Sequence, residues 1–379
     1  MSKTKLIIMS LGITCIILAA GIFGAIEYYA KSGTDGPEVH SLPDKAVLLN
    51  TFDPVDICYD SDRNVIWVAN HVVPGLTEIN ATTMAEIANI SFPISLQPYR
   101  IAYDGQYLWI STSNEYGTPT YGGPAALIRV NPDTLAWTNW TFPNDIGHQF
   151  GCALTIAYSP TTDKEYVFEG LGSNSTNYEA YIERFDPLTF PSAPTEANLR
   201  YGSYYNTQCR EIVYTGNDPL FVSGDGGRVM TVTIDNMTVG YATRIGASVF
   251  SGCWDGEYLW WGLNNGTIVK MNPATYAMAS LTLDQPPAGT TRLMHRFVYT
   301  GDGFIWVICY TDGKVWTINC ASMTATLFPP TFSSPHGICF DGKDIWICDN
   351  CTETYANPMQ AHVSRYVLRE PIGGGFIMP

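Results

Sequence analysis

Two acids, three arginines and two histidines recur at two adjacent positions of an internal repeat, and these are the side chains that could do chemistry. Each repeat carries a small residue at a fixed place. Two residues before it stand Asp56, Arg100, Thr155, Glu211, Ser251, Arg296 and Gly337; three before it stand Val55, Tyr99, Leu154, Arg210, Phe250, His295 and His336. Arginine presents a planar fork of donors that suits anions. Arg100, Arg210 and Arg296 therefore read as donors to an anionic or hydroxylated ligand, with Tyr99 beside them. His295 and His336 belong to the same set. Asp56 and Glu211 are the only carboxylates of the set. A magnesium site needs carboxylates, and these two fall in the first and fourth repeats, roughly opposite each other, which makes a poor chelate. No cofactor is predicted, although a divalent cation is compatible with the set. The alternative use of the same residues is a mutually neutralised ring that satisfies its own buried charge.

What must position them is a four-strand unit copied seven times. The first segment ends in Cys58-Tyr59-Asp60, Ala102-Tyr103-Asp104-Gly105, Ala157-Tyr158-Ser159, Val213-Tyr214-Thr215-Gly216, Cys253-Trp254-Asp255-Gly256, Val298-Tyr299-Thr300-Gly301 and Cys339-Phe340-Asp341-Gly342. A second segment comes next, with Trp67, Trp109, Trp260, Trp306 or Trp346 between apolar residues, and Phe168 or Phe221 in the third and fourth copies. A third reads Arg129-Val130-Asn131-Pro132-Asp133-Thr134 and its like, and a weaker fourth closes the unit. Short runs rich in β-branched and aromatic residues, bounded by Asp-Gly and Asn-Pro, are strands with turns between them. One meander cannot bury both of its faces, and stacking copies radially solves this. The expected fold is all-β, a seven-bladed β-propeller over 45–371. The units run 51–93, 94–143, 144–199, 200–245, 246–286, 287–330 and 331–371. The seventh lacks a fourth strand, and residues 45–52 look like one, so the ring is expected to close on this N-terminal strand and leave no free edge.

The stretch Pro335-His336-Gly337-Ile338-Cys339-Phe340-Asp341-Gly342-Lys343-Asp344-Ile345-Trp346-Ile347 resembles the YVTN, NHL and virginiamycin-B-lyase-like propeller repeats. The resemblance covers about 45–371. It implies the propeller fold and leaves the function open, since such repeats serve as scaffolds, lyases and lactonases alike. It also implies that any enzymatic site would lie at the mouth of the central channel, with a metal ion and a histidine base, for which His295 and His336 are the candidates, since a base must be a tuned group beside its substrate.

In a propeller the loop into the first strand and the loop between the second and third strands open on one face. The second kind is short at 224–227, 264–266 and 311–313. It is long at 113–124, 170–180 and 349–362 and intermediate at 70–76, so units seven, one, two and three form one sector, and its long members carry Tyr116, Tyr121, Tyr178 and Tyr355. Tyrosine favours interfaces, so this sector is a second candidate surface. Among the cysteines, Cys58, Cys253 and Cys339 share one core position and read as packing residues. Cys152 could bridge Cys209. Cys348 could pair with Cys351, or each could reach elsewhere, for example Cys309.

The N-terminus sets the compartment. Lys3 and Lys5 precede an apolar run, Leu6 to Ile26, of about 21 residues, enough to span a bilayer. Residues 1–30 are expected to be a transmembrane signal anchor or a cleaved signal peptide, 31–44 a tether and 372–379 a flexible tail. The chain beyond the run would be extracellular, where Asn80, Asn89, Asn139, Asn174, Asn236, Asn265 and Asn350 head Asn-x-Ser/Thr glycosylation sequons and disulfides persist. The net charge of −15 excludes nucleic acid as a partner, because phosphate binding needs basic surface. The expected function is a cell-surface scaffold holding a protein or glycan, touching the membrane only through the N-terminal helix. The alternative is a lyase or hydrolase at the channel mouth.

Overall fold

The Asp-Gly pair organises the first hairpin of a blade. In the computed structural model, Asp104 Oδ1 accepts the N–H groups of Gln106 (2.7 Å) and Tyr107 (2.6 Å), while its Oδ2 accepts the indole N–H of Trp109 (2.7 Å). Gly105 takes the left-handed φ of 91° that the turn requires. Asp255 with Trp260 (2.7 Å) and Asp341 with Trp346 (2.8 Å) repeat the arrangement. The five-residue spacing from acid to tryptophan thus arises from one carboxylate serving both the turn and the strand. Where Thr300 replaces the acid, the Trp306 indole nitrogen has no hydrogen-bond partner among the described residues. Trp67 is in the same state, because Asp60 turns to Arg63 instead.

The second recurring turn uses asparagine. Asn131 Oδ1 accepts the N–H groups of Asp133 and Thr134 (3.0 Å each), and Asn272 does the same for Ala274 (3.0 Å) and Thr275 (2.9 Å). The next residue, Leu135 or Tyr276, has positive φ and sends the chain back as the fourth strand. Local side-chain-to-backbone bonds of this kind compete with the ladder and end it.

The structure describes residues 45–48, 53–113, 125–143, 150–172, 180–201, 204–205, 208–284, 292–330, 332–349 and 361–368. They form seven four-stranded antiparallel sheets and one two-stranded sheet, Arg200–Tyr201 with Tyr204–Tyr205. Blade one is Pro54–Asp60, Val65–Asn70, Gly75–Asn80 and Glu86–Ser91, and blade two Pro98–Tyr103, Leu108–Thr112, Ala126–Val130 and Trp137–Thr141. Blade three is Phe150–Ser159, Lys164–Gly172, Tyr181–Phe185 and Thr195–Asn198, and blade four Cys209–Val213, Leu220–Gly224, Arg228–Val232 and Val239–Arg244. Blade five is Val249–Trp254, Leu259–Leu263, Thr267–Met271 and Met278–Thr282, and blade six Met294–Tyr299, Phe304–Cys309, Lys314–Asn319 and Thr324–Leu327. Blade seven is Pro335–Phe340, Asp344–Asp349 and His362–Val367, with Lys45–Leu48 paired antiparallel to its last strand. Among the described residues, the only helical piece is the 3-10 turn Tyr310–Asp312.

Second strands are buried along their length, apart from Lys164 and Glu165 at the start of blade three's, because both faces of a blade are covered. In Val65–Asn70, Trp67 packs onto Leu108 and Ile110 of blade two, whereas Ile66 and Val68 pack with Trp346 and Val363 of blade seven. Trp109, Trp260, Trp306 and Trp346 are likewise fully buried between neighbouring blades. Each such burial contributes about 1.5–3 kcal/mol.

The N-terminal helix, the tether up to 44 and the tail fall outside the described residues. Among those described, no helix is long and apolar enough to cross a membrane. No disulfide joins any of the described cysteines, which corrects the expected pairing of Cys152 with Cys209. Cys209 packs onto Gly170, where an added Cβ would lie 2.2 Å from its sulfur. Cys348 is buried between blades seven and one as a thiol, accepting the N–H of Gly337 at 3.1 Å. Cys351 is outside the described residues. Of the sequons, Asn89, Asn236 and Asn265 are exposed, Asn80 and Asn139 are half-buried, and Asn174 and Asn350 are not described.

Candidate functional site

Every first strand carries a β-bulge near its start. The pairing register shifts between Pro54 and Asp56, Pro98 and Arg100, Gly151 and Ala153, Cys209 and Glu211, Val249 and Ser251, Met294 and Arg296, and Pro335 and Gly337. A bulge adds an unpaired residue and re-aims side chains. The extra residues are Val55, Tyr99, Cys152, Arg210, Phe250, His295 and His336. First strands of neighbouring blades lie side by side around the ring, so the bulges bring these residues to one end of the channel.

Blade three departs from the expected alignment. Its bulged residue is Cys152 rather than Leu154, and its next position is Ala153 rather than Thr155. The cause is a longer first hairpin. Phe168, the counterpart of tryptophan, pairs with Thr155, as Trp67 pairs with Cys58. Counting from the turn therefore misplaces the site by two residues, and Leu154 lies in the core beside Trp109.

Arg296 joins the two acids. Its Nε donates to Asp56 Oδ1 at 3.0 Å, its Nη2 reaches Asp56 Oδ2, and its Nη1 lies 3.7 Å from Glu211 Oε2. Asp56 Oδ2 also accepts the N–H of Ile101 in blade two (3.0 Å), and Glu211 Oε2 accepts the hydroxyl of Ser251 in blade five (3.0 Å). One guanidinium thus ties five blades together. Burial works against the Arg296 charge, and Asp56 and then Glu211 outweigh it and hold the proton more tightly than usual. Arg210 is not part of this group: its Nε donates to Asp225 at 3.1 Å and its guanidinium covers the Phe250 ring.

A second group faces blades two, six and seven. His295 Nδ1 lies 2.8 Å from the His336 carbonyl oxygen, which can only accept, so Nδ1 carries the hydrogen. Its Nε2 then accepts from the Tyr99 hydroxyl at 3.4 Å. Both nitrogens are in use. Burial, then the Arg100 charge, holds His295 well below the usual imidazole range. The same two causes, in that order, push His336 down to about 3, against a partial pull from the Ser334 backbone. The His336 ring packs on Tyr310 (4.3 Å between centroids) and on His295 (5.0 Å). Among the described residues, neither of its nitrogens has a side-chain or backbone partner within bonding geometry.

Sequence reading missed His71 and Tyr310. His71 Nδ1 lies 2.9 Å from the Pro98 carbonyl, and His71 is the least of the causes that lower the proton affinity of His336. Both residues immediately follow a second strand, in Val65–Asn70 and Phe304–Cys309, and that shared offset was the available signal. Glu169 and Glu183 were missed as well. They are cross-strand neighbours in blade three and buried, and nothing in the strand pattern marked them.

No group of metal-ligating side chains able to hold an ion occurs among the described residues. The long-loop tyrosines Tyr116, Tyr121, Tyr178 and Tyr355 lie outside them.

The architecture defines a seven-bladed β-propeller. No protein-family model matches the sequence, and no curated protein does. Solved structures do. A chain of the structure titled "Crystal Structure of Mitotic Checkpoint Complex" is similar over 89% of this chain and 98% of its own, with a TM-score of 0.63 at 14% identity. The structure of RRP9 WD40 repeats is similar over 88% and 100%, with a TM-score of 0.67 at 11% identity. That of U3-55K is similar over 85% and 99%, with a TM-score of 0.64 at 10% identity. At these identities the likeness is one of fold.

Proposed function

We propose that this chain is a binding scaffold displayed outside a membrane, holding a protein or a glycan on the propeller face that carries the channel mouth. The observation that carries this reading is the consumption of the ring's own chemistry. Asp56 and Glu211 are neutralised by Arg296, Arg210 by Asp225, and both nitrogens of His295 are engaged. His336 is left without an orienting carboxylate among the described residues, and so low a proton affinity makes it a weak base. A structural use of these residues favours binding over turnover.

The scaffold is of the YVTN- or NHL-like kind, on the strength of the repeat at 335–347. It is anchored by the apolar run after Lys3 and Lys5, or secreted after cleavage of that run. Pairing of Lys45–Leu48 with His362–Val367 serves as the clasp of the ring. Protein-binding propellers use the same face by varying loops on a rigid frame, which suits the long connections at 113–124 and 349–362.

The test is cross-linking on intact cells that display the full chain, with mass spectrometry of the products. A protein or glycoprotein should be captured by the native chain and lost when either long connection is shortened. Capture that ignores both deletions overturns the reading.

A further inference from the structure

Every other charged member of the ring has an opposite charge beside it. Arg100 does not. It is buried (2% exposed), its Nε donates to the Cys152 carbonyl at 3.2 Å, and its guanidinium lies 4.7 Å above the Tyr99 ring. Among the described residues, its Nη1 has no hydrogen-bond partner and no carboxylate pairs with it. A buried guanidinium without a counter-charge is costly, because the desolvated charge has nothing to replace the water it lost.

The adjoining side chains point to what is missing. Tyr99 leads from the Arg100 guanidinium to His295, with ring centroids 6.0 Å apart, and His295 stacks edge-on against His336. His336 is itself buried (2% exposed), with both ring nitrogens unpartnered among the described residues. Two unsatisfied groups thus lie at one end of the channel: a permanent cation with a free donor, and an imidazole that carries one N–H donor when neutral and two when protonated. The Arg100 charge depresses protonation of both histidines, which places it within electrostatic reach of them.

We infer that Arg100 and His336 form a receptor for a small oxyanion, a carboxylate or a phosphate, at the channel mouth between blades two and seven. Arginine forks and imidazolium N–H groups both make short charge-assisted bonds to such oxygens. An arriving anion cancels the Arg100 charge and supplies an acceptor for a His336 N–H, and by doing both it raises the pH at which His336 takes up a second proton. The inference rests on the reading of the channel mouth as the binding face and adds the chemical class bound there.

The experiment uses the purified full chain and no partner, so its failure and that of partner capture are separate. Inorganic phosphate and acetate are titrated separately by calorimetry, in a buffer free of other oxyanions. Histidine nitrogen resonances are tracked by NMR across the same titrations. Saturable binding of either anion is expected, together with protonation of His336 at a higher pH in its presence. Acetate without phosphate identifies a carboxylate receptor, and the reverse a phosphate receptor. Arg100→Met should bind at least about thirtyfold more weakly, the loss that attends truncation of one member of a buried charge pair. In anion-free buffer that variant should melt higher than the native chain, whereas an arginine needed only for packing would melt lower when removed. His336→Gln should weaken binding and remove the shift in histidine titration. No saturable binding of either anion, or equal binding by Arg100→Met, overturns the inference and leaves buried water as the occupant.

Discussion

Arg296 and Asp56 stand 240 positions apart in the chain and meet through two hydrogen bonds, one of them Nε to Oδ1 at 3.0 Å. Blade six and blade one do not adjoin in the ring, so this contact crosses the channel. It links elements that otherwise touch only through their neighbours. Arg296→Met strips the counter-charge from both Asp56 and Glu211, and should cost about 3–5 kcal/mol in urea denaturation. Adding Asp56→Asn to that variant should recover part of the loss, because fewer buried carboxylates then stand unpaired.

His295 and His336 make the fold sensitive to acid. Burial and the Arg100 charge keep both neutral in the folded chain, His336 with its proton affinity down to about 3. An unfolded histidine takes its proton near pH 6.5. Between those values the unfolded state binds more protons than the folded one. For His336 the stabilisation is therefore complete above about pH 6.5 and falls as the pH drops toward 3, by up to about 1.4 kcal/mol per pH unit, and His295 acts in the same direction. Melting curves across that range, in oxyanion-free buffer, should show a slope that His336→Gln reduces.

Glu169 works in the opposite direction. It is fully buried, neither carboxyl oxygen has a partner among the described residues, and burial, then Glu183, raises its proton affinity well above the ordinary value of 4.5. The folded chain holds this proton longer than the unfolded chain does. The stabilisation is present below pH 4.5 and is lost as the pH rises through the folded value. Glu169→Gln should melt higher than the native chain at the alkaline end of a pH series, and this advantage should disappear at pH 4. An unchanged pH profile would show that Glu169 does not titrate in this way.

The Asp104 carboxylate closes a turn and receives the Trp109 indole. Asp104→Ala removes all three bonds and should cost about 2–3 kcal/mol. The Trp109 indole N–H resonance should move upfield, since its charged acceptor is gone. The indole N–H groups of Trp260 and Trp346 keep their own aspartates and should not move.

Much of this fold is local, and for that reason legible. Asp-Gly before a tryptophan and Asn-Pro before a threonine are each satisfied by side chain and backbone a few residues apart. Such pairs can be counted along the chain without knowing what lies across the ring. The third blade marks the limit of that method. Its hairpin is longer, and only cross-strand pairing of Thr155 with Phe168 shows that Cys152 occupies the bulge. The cysteines mark another limit, since Cys152 and Cys209 begin adjacent first strands and yet remain thiols. Whether two side chains point at each other depends on rotamers and packing, as Cys209 on Gly170 shows.

The sequence by itself determined the number of blades, the strands within them and the register at which charged residues recur, because short-range turn chemistry and strand alternation encode all three. Only the tertiary structure decided which charges meet. Arg100, Arg210 and Arg296 are the same letter near the start of a first strand, Arg210 one position earlier than the other two. Arg296 spans the channel to two acids, Arg210 folds back onto Asp225, and Arg100 is buried with no acid paired to it among the described residues. That division comes from the partners each blade's position in the ring brings within reach, and no single repeat contains it.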